Sequence, residues 1–323
     1  MFVVSDTELR RLISMDDAID AVERAFRSIV DGSGEQPSRL GFGDGSGLAM
    51  MARRVDSDVD DRGSAFKLVS IYPGNRERDL PTIHAVVLWF DGETGRPRLL
   101  IEGASLTSLR TGAASGLATR LLAAPGAACV AMIGAGGQAA DQIRAVCAVR
   151  PIERVRVFSR GGVSAGALAS RLAPELPGVE LAAAATVEEA LEGADVVCCA
   201  TDSVVPVLPA GGVSGRVHVN SVGSFRPEMC ELPLDLLGRA EIVAVDQREA
   251  VLTEAGEIID AVDAGVLAAD DLVELGALAV GPPPEPEGVS IFKTVGVAMQ
   301  DWAICRLLAT RIGAGVPTVE LWA

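Results

Sequence analysis

With 49% apolar and 22% charged residues, the 323-residue chain can bury a large core, and its length suggests two domains. A formal charge of −16 disfavours nucleic acid and anionic membranes as partners, and the apolar runs break at Gly and Pro well short of a membrane span. The start lacks a basic, apolar leader, so the expectation is a soluble cytoplasmic protein whose six cysteines are reduced and not spaced for metal.

In chain order, Ser14–Val30 reads as an amphipathic helix. Ser14 can cap it, Asp17 favours its positive end, and Ala18, Ile19, Val22, Ala25, Phe26 and Ile29 form one apolar face. From Pro37 to Leu100 the pattern changes to short strands, among them 65–71 and 85–90, with turns at Pro73-Gly74 and Asp91-Gly92. Residues 56–63 read as a solvated loop, and Thr107–Ala123 as a helix. His84, in an apolar strand-like run, reads as a core or interface histidine. With only His218 besides, a zinc site is not expected.

Residues 128–140, Ala-Cys-Val-Ala-Met-Ile-Gly-Ala-Gly-Gly-Gln-Ala-Ala, combine a buried strand, a glycine turn and a helix start. Gly134 allows the tight turn, Gly136 admits a pyrophosphate close to the backbone, and Ala139 lets the helix pack on its strand. A second strand, Arg154–Phe158, follows at the expected spacing, so this is a Rossmann-type dinucleotide fingerprint with its context intact. That second strand ends in Ser159-Arg160 and not in the acidic residue that binds a ribose 2′-hydroxyl. A hydroxyl and a guanidinium suit a 2′-phosphate, which favours NADP(H) over NAD(H).

Strand and helix then alternate, as a parallel sheet requires. Thr186 with Glu189 forms a capping box; 195–201, 217–222, 241–246 and 289–293 read as strands, 282–288 as an exposed linker and 296–312 as a final helix. Only two of the 28 basic residues are lysines, Lys67 and Lys293, each following a phenylalanine. In so Arg-biased a chain a lysine suggests a place for a compact ammonium that can lose its proton, more strongly at Lys67 than at Lys293.

The set Pro37-Ser-Arg39, Phe66-Lys67, Thr94-Gly95-Arg-Pro97, Leu109-Arg110-Thr111-Gly-Ala, Ile133-Gly-Ala-Gly-Gly-Gln138, Asn220-Ser-Val-Gly223 and Ile291-Phe-Lys-Thr-Val-Gly296 resembles the ornithine cyclodeaminase/mu-crystallin family over nearly the whole chain. The resemblance implies an α/β fold: a Rossmann-type doubly wound parallel sheet over 123–296, and a smaller α+β substrate-binding and dimerisation domain from 1–122 and 297–323. It also implies a homodimer.

Carried over by position, it puts Arg39, Lys67 and Arg110 on a substrate carboxylate. It puts Thr82, Thr111, Gly134, Ala135, Gly136, Gly137, Gln138, Ser159, Arg160, Thr201, Val222 and Lys293 on the cofactor. Arg226 and Asp301 are further candidates around the substrate.

Cyclodeaminases of the family carry an aspartate where this chain has Phe225, and Val222-Gly-Ser-Phe-Arg-Pro is closer to the ketimine-reductase branch. The expected activity is NAD(P)H-dependent reduction of a small cyclic ketimine carboxylate, pyrroline-2-carboxylate or piperideine-2-carboxylate, to proline or pipecolate. The scarcity of histidine agrees, because a protonated imine already carries the charge that attracts hydride. The alternatives are an NAD-dependent ornithine cyclodeaminase or alanine dehydrogenase, with Glu228 as a substitute carboxylate, and a non-catalytic NADPH-dependent binding protein.

Overall fold

The computed structural model describes residues 1–42, 45–55, 62–78, 80–282 and 284–320. The chain divides into two compact units, Met1–Arg110 with Val297–Ala323, and Thr111–Gly296.

The first unit carries a mixed sheet of β1 (Phe2–Val4), β2 (Gly34–Glu35), β3 (Leu40–Gly41), β4 (Gly47–Arg54), β5 (Ser64–Ile71), β6 (Ile83–Phe90) and β7 (Pro97–Glu102). The spatial order is β1-β7-β6-β5-β4-β2, with β3 also on β4; among the described strands of this sheet only β1 and β7 pair in parallel. Side chains alternate across the sheet. Ala65, Val87 and Trp89 point to the buried face, whereas Leu68 and Val86, paired across β5 and β6, are exposed.

Helices α1 (Asp6–Leu12) and α2 (Met15–Val30) lie between β1 and β2 in the chain. α2 starts as its sequence requires: Ser14 Oγ accepts the Asp17 N–H at 3.2 Å, and the Asp17 carboxylate accepts the Ser14 N–H at 3.3 Å. The C-terminal helix (Ala298–Arg311) packs on α2, and Arg311 forks onto Asp17 with two 2.6 Å bonds. His84 is exposed on the single chain and not in the core, because it falls on the outward side of β6.

Helix α3 runs over Gly103–Leu122, one turn earlier than its composition suggests. The cause is Glu102, whose carboxylate accepts the N–H groups of Ala104 and Ser105, both at 2.8 Å, and so acts as the cap. The division into units falls inside this helix, between Arg110 and Thr111, whereas the resemblance sets the boundary between 122 and 123.

The second unit is an eight-stranded sheet with every pairing parallel. Its strands are β8 (Cys129–Ile133), β9 (Arg154–Phe158), β10 (Glu180–Ala183), β11 (Val196–Cys199), β12 (His218–Ser221), β13 (Ile242–Val245), β14 (Val273–Glu274) and β15 (Ser290–Lys293). Between them come α4 (Ala139–Val149), α5 (Val163–Leu172), α6 (Val187–Leu191), α7 (Leu234–Gly238), α8 (Arg248–Glu254), α9 (Gly256–Asp263) and α10 (Leu275–Val280).

The order β10-β9-β8-β11-β12-β15-β13-β14 places the strand reversal between β8 and β11, where a doubly wound sheet opens a crevice at its carboxyl edge. Both faces are covered. Val130, Met132, Val196 and Cys198 pack with α4 and α5, while Ala131, Ile133, Val197 and Cys199 pack with α6 to α9, so adjacent Cys198 and Cys199 face opposite layers.

Two boundaries differ from expectation for local reasons. Thr186 Oγ1 caps α6 by accepting the Glu189 N–H, but the Glu189 carboxylate reaches back to Ala185 N and not to Thr186 N. Residues 294–296 stay outside the final helix, with Gly296 at φ +84°, because Asp246 Oδ2 accepts from Thr294 Oγ1 (2.5 Å), Val295 N (3.1 Å) and Gly296 N (2.7 Å). Most of the expected loop 56–63 lies outside the described residues, as does position 283 of the expected linker. Among the described residues no helix is long and apolar enough to cross a membrane.

Candidate functional site

In the first unit β5 places a lysine where the alternation calls for a core residue. Lys67 lies opposite Met50 and Val87 and is 4% exposed. Its ammonium donates to Asp301 on the C-terminal helix, at 3.2 Å to Oδ1. Arg110, 6% exposed, brings Nε to 3.3 Å from the same oxygen, without the angle of a hydrogen bond, while Nη1 donates to Gln300 Oε1 at 2.6 Å. Arg39 is half-buried, near enough for its charge to act on Lys67.

Burial pushes the Lys67 ammonium down from 10.5 to about 8, with Arg110 and Arg39 acting in the same direction and Asp301 opposing them. One carboxylate therefore serves several cationic donors. Two buried donors, Arg110 Nε and Gln300 Nε2, have no hydrogen-bond acceptor. A second carboxylate, supplied by a ligand, would satisfy such a cluster.

Asp301 sits in the first turn of its helix, where a negative charge suits the helix dipole. It touches Lys67 and Arg110, so it fixes the cations and does not itself add a donor for an anion. Sequence reasoning missed Gln300, which lacks a charge and sits in an ordinary helical stretch.

In the second unit the fingerprint residues surround the sheet's switch point. Gly134 has φ +105°, and a Cβ there would lie 2.3 Å from Ala200 O, so only glycine lets β8 pass this close to the end of β11. Gly136 and Gly137 are exposed, and a Cβ on either would meet nothing within 4 Å. Ala135 and Gln138 are half-buried, and Gln138 Oε1 is a buried acceptor without a donor. With the N-terminus of α4 beginning at Ala139, this open glycine cradle fits a dinucleotide pyrophosphate.

At the end of β9, Ser159 Oγ lies 2.8 Å from Ser164 Oγ, and the exposed Arg160 faces Asp202 at 3.3 Å. Thr201 is half-buried at the end of β11, and Val222 is buried at the end of β12. Thr111 is buried on α3. Thr82 lies in the first unit, in a bend before β6 whose carbonyl accepts the Tyr72 N–H.

Lys293, another residue expected on the cofactor, is fully buried. Its ammonium donates to Ser224 O at 2.6 Å and to Ser224 Oγ, and lies 3.3 Å from Glu257 Oε1. Phe225, packed against the core, carries the Arg226 guanidinium 5.7 Å from its ring centre, and Arg226 is also 3.9 Å from the exposed Glu228.

The chain is similar to known proteins over nearly its full length. A Delta(1)-pyrroline-2-carboxylate reductase of Bacillus cereus is 34% identical over 314 residues, covering 95% of each chain. The solved Delta(1)-pyrroline-2-carboxylate reductase of Thermococcus litoralis, in complex with NADH and L-proline, superimposes with a TM-score of 0.89 at 33% identity, covering 96% of this chain and 97% of its own. An archaeal alanine dehydrogenase dimer with bound NAD gives a TM-score of 0.86 at 29% identity, covering 100% of this chain and 99% of its own. The family model for ornithine cyclodeaminase/mu-crystallin matches residues 1–315, which include every cationic and glycine-rich feature described above; the chain belongs to that family.

Proposed function

We propose that the protein is an NAD(P)H-dependent reductase of a small cyclic ketimine carboxylate, pyrroline-2-carboxylate or its six-membered homologue, giving proline or pipecolate. The observation that carries this reading is the buried surplus of donors, the cations Lys67 and Arg110 with the Gln300 amide, around a single carboxylate. Relatives that reduce cyclic imines support the choice of substrate.

Arg110 and Arg39 hold the substrate carboxylate through N–H donors. Gly134 to Gln138, Thr201 and Val222 hold the dinucleotide, and Ser159 and Arg160 favour a 2′-phosphate and hence NADPH. When bound, the reduced nicotinamide supplies hydride. The Lys67 ammonium would supply the proton that the imine nitrogen takes up, so that the C=N carbon is activated toward hydride, and solvent would restore that proton. A group titrating near 8 gives up a proton readily and is still mostly charged at neutral pH. The exposed Leu68 and Val86 face of the first sheet is the surface we assign to a homodimer.

The test is a spectrophotometric panel with purified protein. NADPH and NADH oxidation is followed with each cyclic imine and with pyruvate plus ammonia, beside ammonia release from ornithine with NAD. Imine reduction, faster with NADPH, is expected. Ornithine turnover or pyruvate amination without imine reduction would replace this reading with a deaminating enzyme, and dinucleotide binding without any turnover would leave a binding protein.

A further inference from the structure

We infer that Glu231 is a positioning residue for the dinucleotide, acting through the carboxyl ends of β11 and β12; this rests on the cofactor reading above. Glu231 is fully buried in the second unit and sits in the loop after β12, on no regular element. Its Oε1 accepts from Thr201 N at 2.7 Å and Thr201 Oγ1 at 2.8 Å, and its Oε2 accepts from Ser221 Oγ at 2.9 Å and Gly223 N at 2.8 Å. All four of these groups are donors, which suits an ionised carboxylate that uses both oxygens. One side chain thus ties together the two strand ends that flank Val222 and carry Thr201.

The approach is too close for any other residue at the junction. A Cβ on Gly223 would lie 2.2 Å from Thr201 O and 2.4 Å from Glu231 Oε1. Because Thr201 gives its hydroxyl proton to Glu231, its oxygen, which also takes the Ser203 N–H at 3.4 Å, can meet a ligand only as an acceptor. Below lies a second carboxylate, Glu257, which takes Ser224 Oγ at 2.7 Å and pairs with Lys293. Lys293 therefore reaches the cofactor ledge through Ser224, Glu257 and Ser221.

The same strand supplies an internal control. Asp195, immediately before β11, accepts Ala128 N at 2.8 Å and Cys129 N at 3.0 Å, at the amino edge of the sheet and away from the glycine cradle. Glu231 and Asp195 brace opposite ends of β11. A merely structural role would make their removal equivalent.

The experiment measures NADPH and NADH dissociation constants by fluorescence titration, together with melting temperature, for the wild type, Glu231→Gln and Asp195→Asn. The amide of glutamine sets a donor against Gly223 N–H or Thr201 N–H, so Glu231→Gln is expected to raise both dissociation constants roughly 10- to 100-fold. Asp195→Asn is expected to lower the melting temperature while leaving both constants within about twofold of wild type, since additivity holds for distant sites. Unchanged constants in Glu231→Gln, or an equal rise in Asp195→Asn, would overturn the inference.

Should Glu231→Gln fail to fold, Ser221→Ala deletes one of the four donors. It is expected to raise the constants roughly tenfold, about the effect of losing one hydrogen bond to a charged group, and wild-type affinity there would equally overturn the inference. A wild-type protein that binds neither dinucleotide would instead remove the functional reading itself.

Discussion

The two lysines of the chain, both buried, stand in opposite electrostatic settings. Lys67 shares one carboxylate, Asp301, with Arg110, and donors around it lack acceptors. Lys293 meets Glu257, with Glu231 close by, and its ammonium is satisfied by Ser224 and Ser221. A surplus of unsatisfied cationic donors costs stability and is repaid by an anionic ligand, whereas a balanced, fully bonded network holds backbone in place. Burial alone does not tell function from structure; the ratio of charges and acceptors does.

The sharpest way to break this comparison is to remove each ammonium. Lys67→Met should cut kcat/KM for the imine by roughly 10³-fold while dinucleotide binding and melting temperature hold, because Asp301 keeps Arg110. Lys293→Met strands the Glu257 carboxylate in the interior and should cost about 3–5 kcal/mol of unfolding free energy, measured by denaturant titration. Equal losses of stability in the two variants would erase the distinction.

A smaller effect should come from Asp301→Asn. That carboxylate is the group holding the Lys67 ammonium up, so its removal should lower kcat/KM roughly tenfold and move the alkaline limb of the pH profile to lower pH. In the wild type, kcat/KM for reduction should fall as pH rises through about 8, where Lys67 loses its proton. The sign for stability is opposite. With a folded value below the unfolded 10.5, the cost of burying the charge is full below about 8 and is relieved as pH climbs toward 10.5. A profile flat from 7 to 9.5 would count against Lys67 as the acid.

Weaker still is the expected loss at Arg160. The guanidinium is exposed and shared with Asp202, so Arg160→Ala should raise the NADPH dissociation constant only about 3- to 10-fold and leave NADH unchanged. Equal effects on both would remove the 2′-phosphate assignment. A separate signal, read on stability and not on activity, is acid sensitivity. Burial pushes His218 down from 6.5 to about 3, so below 6.5 the unfolded chain takes a proton that the folded one refuses. Melting followed against pH should show stability falling by at most ~1.4 kcal/mol per unit in that window.

Much of this was legible in the chain because it is written locally. The Ser14–Asp17 box, the Gly134 turn and the strand at 154–158 each depend on neighbours within a few residues. The cationic site was partly legible, since two lysines among many arginines drew attention to Lys67. Sequence could not separate it from Lys293, because what distinguishes them is the company brought by the fold. Asp301 lies 234 positions from Lys67, and Ser224 lies 69 from Lys293. Glu231 was missed for the same reason: an acidic residue in a loop, it acquires meaning only through Thr201 and Gly223. His84 was not legible as core or surface, because an apolar run on an outward sheet face resembles one in a core.

The strand order carries a consequence for how the chain can be made. β15 is the last strand of its sheet in sequence, yet it lies between β12 and β13. Until residues 290–293 leave the ribosome, those two earlier strands have no neighbour to join them, and each presents an unpaired edge. Completion of the nucleotide-binding half must therefore wait for that segment, and a nascent chain stalled before Ser290 would be a sticky intermediate and a natural client for a chaperone.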